Sequence, residues 1–344
     1  MRLNTLLSFL ITVCFLAQTA LAQNKTIKPD AVWKDSAGKR INAHGGCVIS
    51  HGGIYYWYGE EKEKGLSEKE HADAGVHCYA SSDLVNWHDQ GLVLKLIKGE
   101  TLSDLAFDSN HDRPKVVYNE ATRKFVMFFK LYLRGKGHGV AYVGVATSDS
   151  PVGPFVYKHK FLGGGSPNGT GDFAIYKDDD GKLYHLSVRK PDKAFVIGKM
   201  RDDYLMPEGK YQICEGVTRH TEAPAIFKKD GIYHMLASGS TGWAPNPARH
   251  FTARNIYGPW KFRGNPCQGT NPHNNLGPDK TFGGQSNFVL KVDEQKDAYI
   301  AIFDINKPKH PYESAYIWLP IKFKGKDISI LWQDAWSLDV FRNQ

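Results

Sequence analysis

The sequence has few of the residues and patterns that mark several common classes of protein. Only five of its 344 residues are cysteines, and none of them forms a C-x-x-C pair, which argues against a zinc-thiolate or thiol-redox site. After the N-terminus no segment repeats apolar residues with the 3.6-residue period of a long helix, and this disfavours an α/β enzyme. Lysines and arginines are dispersed, so the formal net charge of +8 forms no basic stripe for nucleic acid.

The one long apolar run stands at the N-terminus. An arginine at position 2 precedes an apolar stretch over 6–16 and the tripeptide A-L-A at 20–22. This order predicts a signal peptide over 1–22, cleaved before Gln23, and export to the periplasm or the exterior. The stretch is too short for a membrane span.

Four cysteines follow the predicted cleavage site. An exported protein permits disulfides, but a large β-fold does not depend on them, and their disulfide state stays open. We expect them to be small buried hydrophobic residues. They are Cys47, Cys78, Cys214 and Cys267.

The most informative pattern is a motif that occurs five times. In each copy a short strand, a charged turn and an aromatic-rich strand precede a strand ending in Ser-Asp or Gly-Pro-aromatic residues. The copies begin at positions 51, 118, 176, 227 and 292, about 50 to 67 residues apart. This spacing suits a four-stranded blade with its loops. It predicts an all-β, single-domain, five-bladed β-propeller over 23–344.

The strands of these copies are rich in tyrosine and tryptophan, most of which should pack between blades. Trp243 differs because it lies in SGSTGWAPNPAR (238–249), a Gly/Pro-rich loop directly after a strand. A flat ring in such a loop could stack on a sugar face, and a structural loop anchor is the alternative.

Acidic residues at the starts of the innermost strands are candidate catalytic groups. Hydrolysis of a glycosidic bond needs a carboxylic acid that protonates the leaving oxygen and a group that activates water on the opposite face. Glu222 precedes Ala223-Pro224 and an apolar strand, so burial should raise its pKa, as a general acid requires. Asp172 occupies the same place one blade earlier and could keep Glu222 protonated by repulsion. The alternative for Glu222 is a structural pair with Arg219 or Arg249.

The other blades offer different polar residues at this place. Asp112 stands beside Arg113, which could hold Asp112 in a structural pair or bind a substrate hydroxyl. Gln285 cannot ionise, but its amide can orient a water molecule or a hydroxyl. His44 is a hydroxyl contact or a structural histidine. Each blade thus contributes one polar residue to the axis.

The chain resembles glycoside hydrolase family 43 from about Trp33 to its C-terminus. The resemblance is to branches that act on arabinogalactan side chains, one with exo-β-1,3-galactosidases and another with arabinofuranosidases and galactofuranosidases. It implies single displacement with inversion, Glu222 as the acid and Asp172 as the modulator of its pKa. The stretches that carry it are AHGG, YYWYGE, RPKVVYN, GDFAIYKDDDGKLYH, TEAPAIF, SGSTGWAPN and GGQSNFVL.

Two positions depart from the general family pattern. The usual base aspartate at the start of the first blade is replaced by His44-Gly45-Gly46. The galactosidase branch also lacks it, and the resemblance implies a glutamine in its place, at Gln285. That branch carries a glutamate before Arg-Pro-Lys, where this chain has the shorter Asp112.

The sequence therefore predicts an exo-acting, inverting glycoside hydrolase that removes terminal sugars, most of all β-1,3-linked galactose, from arabinogalactan-type polysaccharide. An arabinofuranosidase or galactofuranosidase of the same family and an inactive propeller lectin are the alternatives. We expect no cofactor and no nucleic-acid partner, while an axial structural metal ion stays open. The predicted catalytic residues are Glu222, Asp172, Gln285 and Asp112, and the predicted substrate-binding residues are His44, Arg113, Trp243 and Glu60.

Overall fold

The computed structural model describes residues 25–67, 70, 73–100, 102–242, 244–293 and 295–342. Their regular structure is almost entirely β-strand, which confirms the all-β prediction. Helix is limited to short 3-10 turns, such as Pro278–Gly283, Pro311–Glu313 and Leu338–Phe341. No helix in these ranges is both long and apolar enough to cross a membrane. The predicted signal peptide and Trp243 lie outside the described residues.

The strands form six sheets, four of them with four strands. The first contains β1 (His44–His51), β2 (Ile54–Lys62), β3 (Asp73–Ser81) and β4 (His88–Lys95). The second contains β5 (Asn110–Asn119), β6 (Lys124–Tyr132), β7 (Tyr142–Ser148) and β8 (Val156–Phe161). The third contains β9 (Thr170–Lys177), β10 (Leu183–Arg189), β11 (Phe195–Lys199) and β12 (Gln212–Ile213). The fourth contains β13 (Thr221–Lys229), β14 (Ile232–Gly239), β15 (Arg249–Ala253) and β16 (Lys261–Gly264).

Two sheets have three strands. One contains β18 (Gln285–Lys291), β19 (Tyr299–Ile305) and β20 (Ala315–Pro320). The other is small and contains β17 (Cys267–Gln268), β21 (Lys322–Lys324) and β22 (Asp327–Leu331).

The prediction of five blades is wrong, because the described strands form a six-bladed arrangement. The sixth blade draws its strands from two distant segments, and β17 pairs with β22 in parallel. Its strands are 2, 3 and 5 residues long, too short to show a periodic pattern. A search for repeated hairpins therefore could not detect it.

Within the larger sheets the middle strands are apolar along their length. Strand β6 reads KFVMFFKLY and buries every residue between its two ends, since both faces of the sheet pack against neighbours. Tight turns join such strands. Gly52 and Gly53, with φ of 60° and 77°, connect β1 to β2 in a conformation that glycine adopts without a Cβ clash.

The two ends of the described chain meet beside the first sheet. Ile27 and Trp336 exchange backbone hydrogen bonds of 2.7 and 3.0 Å. Beside them Trp57, Trp87 and Trp318 are fully buried and pack edge-on or tilted against one another. Aromatic rings supply large buried areas, so these tryptophans are structural.

All four described cysteines are buried and free. Burial raises the pKa of each thiol, so these groups are inert hydrophobic side chains, as the sequence analysis expected.

The first strands of the five larger sheets surround a common axis. Each contacts the next, and β18 contacts β1. The sixth sheet packs beside the fifth, where β22 contacts β20. Polar residues at the starts of the first strands are thereby brought to one end of the axis, although they are far apart in the chain.

Candidate active site

A cavity of about 590 Å³ opens at this end of the axis. The structure brings seven of the eight predicted site residues to its wall, and the eighth is Trp243, outside the described residues. The seven are His44, Glu60, Asp112, Arg113, Asp172, Glu222 and Gln285.

Three of the site residues share an unusual backbone. Each stands at a β-bulge near the start of its strand and is followed by a residue with positive φ. Bulges re-aim side chains and concentrate at active sites, and left-handed residues other than glycine mark places where the surrounding fold imposes strain. The pairs are His44-Gly45, Asp112-Arg113 and Glu222-Ala223, whose second residues have φ of 64°, 53° and 52°.

Glu222 lies half-buried against two hydrogen-bond donors. Ser240 Oγ donates to its Oε2 at 2.5 Å, and Gln285 Nε2 donates to its Oε1 at 3.2 Å. Burial, and next the charge of Asp172, raise the pKa of Glu222, in the direction that the sequence predicted. Neither arginine of the structural alternative contacts it: Arg219 pairs with Asp192 and Arg249 bonds Thr221 Oγ1.

Asp172 is a carboxylate held by two cations. Its Oδ1 lies 3.0 Å from Arg113 Nε and 2.9 Å from Lys130 Nζ. Burial by itself would raise the pKa of Asp172, but the two cations outweigh it and hold the pKa well below its usual range. An ionised Asp172 beside Glu222 favours the protonated form of Glu222.

Gln285 connects the acid to this ion pair. Its Nε2 also donates to Ser238 Oγ at 2.9 Å, and its Oε1 accepts a hydrogen bond from Arg113 Nη2. The amide is thereby fixed with its donor side toward Glu222. Arg113 in turn donates its backbone N–H to Glu60 Oε1 at 2.6 Å, so one chain of contacts runs from Glu222 to Glu60.

Asp112 does not form the structural pair with Arg113 that the sequence left open. Its Oδ2 lies 3.0 Å from Lys130 Nζ. Burial opposes its ionisation, but Lys130 and Lys62 lower the pKa of Asp112 overall. Lys130 thus neutralises both Asp112 and Asp172.

His44 and Glu60 face each other as register partners on β1 and β2. His44 is buried and stacks on Tyr316, with ring centroids 5.0 Å apart, and burial lowers its pKa to about 3. Its Nδ1 has no hydrogen-bond partner among the described residues. Glu60 Oε2 lies 2.9 Å from Lys62 Nζ.

The sequence reasoning missed several residues at the cavity. They lie on second strands, opposite a first-strand site residue: Lys130 pairs in register with Asp112, Ser238 with Glu222, and Asp304 with Gln285. Partners in an antiparallel pair project to the same face, so hairpin register was the signal that could have found them.

Asp304 is the most unusual of these missed residues. Its Oδ2 accepts a hydrogen bond from the Gly45 backbone N–H at 2.6 Å, while its buried Oδ1 has no partner among the described residues. Burial raises the pKa of Asp304 to about 7. A carboxyl group therefore abuts the start of the first blade, where the family's usual base aspartate is replaced by His44-Gly45-Gly46.

No cluster of three or more His, Cys, Asp or Glu side chains in the described ranges is arranged to hold a metal ion. The site is instead a set of carboxyl groups with opposed ionisation, bridged by an amide and two cations. Such a set can deliver one proton to a leaving oxygen while a neighbouring charge stays fixed.

The fold is a β-propeller whose axial cavity holds a carboxyl group with a raised pKa beside one with a lowered pKa. The model of the family described as "Glycosyl hydrolases family 43" matches residues 42–322. The chain belongs to that family, which confirms the resemblance stated from the sequence.

Solved relatives give the same family. Two family 43 β-1,3-galactosidases are each 36% identical with a TM-score of 0.83. The match to one of them, solved with galactodeoxynojirimycin, covers 91% of this chain and 100% of that chain. The match to the other covers 93% of this chain and 65% of that chain. An exo-β-1,3-galactanase from Phanerochaete chrysosporium is 31% identical with a TM-score of 0.77, over 91% of this chain and 68% of that one.

A curated relative is more distant. A xylan 1,3-β-xylosidase from a Vibrio species is 24% identical over 203 residues, in a match that covers 54% of this chain and 36% of the relative. The chain therefore spans about a third of the length of that relative.

Proposed function

We propose that this protein is an exo-acting, inverting glycoside hydrolase that removes terminal β-1,3-linked galactose from arabinogalactan-type polysaccharide. The observation that carries the reaction class is the pairing of Glu222, whose pKa is raised, with Asp172, whose pKa is held low. The similarity to β-1,3-galactosidases and to an exo-β-1,3-galactanase along most of this chain supports the sugar and the linkage.

In the proposed reaction Glu222 protonates the glycosidic oxygen, and Asp172 keeps it protonated until substrate arrives. Gln285, together with Asp112, positions the attacking water, which adds to the anomeric carbon as the glycosidic bond breaks and releases its second proton to solvent. Acid and base groups of inverting enzymes are about 6.5–9.5 Å apart, whereas Gln285 Nε2 lies 3.2 Å from Glu222 Oε1. The bound sugar must therefore separate these two side chains before water can be placed.

The terminal sugar would be held by His44, Glu60 and Arg113, with Trp243 stacking over it. His44 lines the cavity as a neutral ring, because burial lowers its pKa to about 3. The cavity volume is typical of sites for small molecules. Saccharides are accordingly the proposed partners, and no cofactor is required because the side chains supply the proton and position the water.

Export is also part of the proposal. Residues 1–22 would act as a signal peptide and residues 23–344 as a single catalytic domain, because the N-terminal pattern of charge, apolar run and A-x-A site is typical of secretion. A polymeric glycan substrate fits a location outside the cytoplasm.

Substitution of Glu222 tests the acid. Glu222→Gln keeps the shape but removes the proton, so hydrolysis of a β-1,3-galacto-oligosaccharide should fall by about 10²-fold or more. A 2,4-dinitrophenyl β-galactoside, whose leaving group needs no protonation, should lose much less. Initial rates on both substrates measure the difference, and Glu215→Gln, an exposed glutamate outside the cavity, should change neither. An unchanged rate on the oligosaccharide would rule Glu222 out as the acid.

The sugar is tested with the wild-type protein on a panel of aryl glycosides. β-Galactopyranoside should be hydrolysed in preference to α-arabinofuranoside and β-galactofuranoside. Proton NMR of early product should show α-galactose first, because single displacement inverts the anomeric carbon. Binding of arabinogalactan without release of monosaccharide would instead indicate a lectin.

A further inference from the structure

The cavity holds cationic side chains that no described carboxylate contacts. Five cationic side chains line it, and three have carboxylate partners. Those three are Lys62 with Glu60 and Asp73, Arg113 with Asp172, and Lys130 with Asp112 and Asp172. The remaining two, Lys190 and Lys193, form no ion pair among the described residues.

Lys190 is held at the cavity by neutral groups only. Its Nζ donates to Tyr132 Oη at 3.2 Å and to the His138 carbonyl at 2.5 Å, and it lies 4.7 Å from the centre of the Tyr132 ring. An ammonium has three donors, so these contacts leave one for a ligand. The side chain is oriented but its charge is not compensated.

Lys193 lies in the same short segment between β10 and β11. Its carbonyl accepts the backbone N–H of His220 at 3.3 Å, which places it beside the start of β13 and therefore near Glu222. Its side chain has no hydrogen-bond or ion-pair partner among the described residues. Lys193 thus borders the proposed acid, and Lys190, three residues before it, lies at the wall of the same cavity.

No described carboxyl group of the cavity contacts either lysine. Glu222 and Asp304, the two that lack a cation partner, are hydrogen-bonded elsewhere: Glu222 to Ser240 and Gln285, and Asp304 to the Gly45 backbone N–H. Burial first, and then repulsion by Lys130 and Lys193, lower the pKa of Lys190 to about 8. An anion bound at this place would relieve that repulsion.

We propose that Lys190 and Lys193 form a subsite for an acidic sugar on the leaving-group side of the scissile bond. The inference rests on the proposed function, because the position of the leaving group is defined by Glu222. Lysine binds as a point charge without the planar fork of arginine, so a carboxylate of a uronic acid and a sulfate ester satisfy the same chemistry.

The test compares three β-1,3-galacto-oligosaccharides of equal length: a neutral one, one with a glucuronosyl branch on the sugar after the scissile bond, and one with a sulfate ester there. The wild-type protein should show a kcat/KM about three- to tenfold higher for an acidic substrate, the range of partly exposed charge pairs. That ratio should fall toward one in Lys190→Gln and Lys193→Gln, and in the wild type as salt increases. The acidic substrate with the larger ratio identifies the anion.

Lys158→Gln is the matched control, since this lysine is exposed on β8 and should leave the ratio unchanged. The protein could hydrolyse the neutral substrate but show equal kcat/KM for neutral and acidic substrates, in the wild type and in both lysine variants. That result would overturn the acidic subsite and leave the proposed function intact. A protein that hydrolyses none of the three refutes the proposed function itself. The salt dependence of the wild type keeps the test decisive should either lysine variant fold poorly.

Discussion

At the residue scale, contact with Lys130 distinguishes two carboxyl groups of the site from two others. Asp112 and Asp172 each contact Lys130, and their pKa values are lowered. Glu222 and Asp304 form no ion pair with a described cation, and their pKa values are raised. The same side-chain chemistry therefore gives two carboxyl groups that ionise more readily than usual and two that ionise less readily, the kind of division on which acid catalysis by paired carboxyl groups depends.

Asp304 gives a test of this division. Because its folded pKa is raised to about 7, the folded protein holds a proton there that the unfolded chain releases, so this group destabilises the fold increasingly as pH rises from about 4 through 7. Asp304→Asn keeps an acceptor for Gly45 and removes the charge. We compare the free energy of unfolding of the variant with that of the wild type. The difference in favour of the variant should be larger at pH 8 than at pH 5, by on the order of 1–3 kcal/mol. Denaturant unfolding at both pH values measures it.

The exposed Asp279→Asn is the control and should give the same difference from wild type at both pH values. If Asp304→Asn behaves like this control, Asp304 is ionised throughout and its burial has no electrostatic consequence.

At this scale the sequence located residues of the cavity wall where a residue's own neighbours carry the signal. Glu222 was found because Ala-Pro and an apolar strand follow it, and Gln285 because it fills the same position in a repeat. Lys130 and Asp304 could not be found in that way, since each lies inside an apolar strand and reaches the cavity only through its register with the preceding strand.

At the element scale, a β-bulge followed by a residue with positive φ orients three of the site's side chains toward the cavity. Gly45 is its clearest instance: a Cβ at this position would lie 2.3 Å from Glu60 Oε1, the atom that accepts the Arg113 backbone N–H. The close approach of β1 to this contact is therefore possible only without a side chain at position 45.

Gly45→Ala should therefore reduce activity by more than the backbone strain of a positive φ can explain, because the added Cβ also displaces Glu60. Gly52→Ala is the matched control, because Gly52 has a similar φ of 60° but nothing within 4 Å of the added Cβ. Both variants should lose about 1 kcal/mol of stability from the left-handed backbone, and only Gly45→Ala should lose at least about tenfold in kcat/KM. Equal activity of the two variants would show that the Glu60–Arg113 contact is dispensable.

The element count shows the limit of repeat-based reasoning. The five copies of the sequence motif correspond to five sheets, because each hairpin joins neighbouring segments of the chain and has recognisable turn residues. The sixth sheet joins β17 to β22 through a long-range parallel pairing, which depends on the packing of the assembled molecule and leaves no periodic pattern in the chain.

At the scale of the whole molecule, buried neutral histidines should make the fold sensitive to acid. Burial lowers the pKa of each to about 3 or 4, against 6.5 in the unfolded chain, so the unfolded chain takes up more protons than the folded one between these values. Asp73, Glu222, Asp304 and His77, with raised pKa values, work in the opposite direction but are fewer. The histidines are His44, His111, His185, His234 and His250.

Stability should therefore fall steadily as pH falls from about 6.5 to 4, which urea unfolding at half-unit intervals measures. The slope of the unfolding free energy against pH reports how many more protons the unfolded chain binds than the folded one. His185→Gln should lower that number by about one, because His185 is fully buried and burial alone sets its pKa of about 3. The exposed His273→Gln should leave the slope unchanged. Stability that is constant or rises as pH falls would mean that the buried imidazoles are charged in the folded protein. Such charging would be energetically costly, because one ring nitrogen of each of His44, His111 and His185 has no hydrogen-bond partner among the described residues.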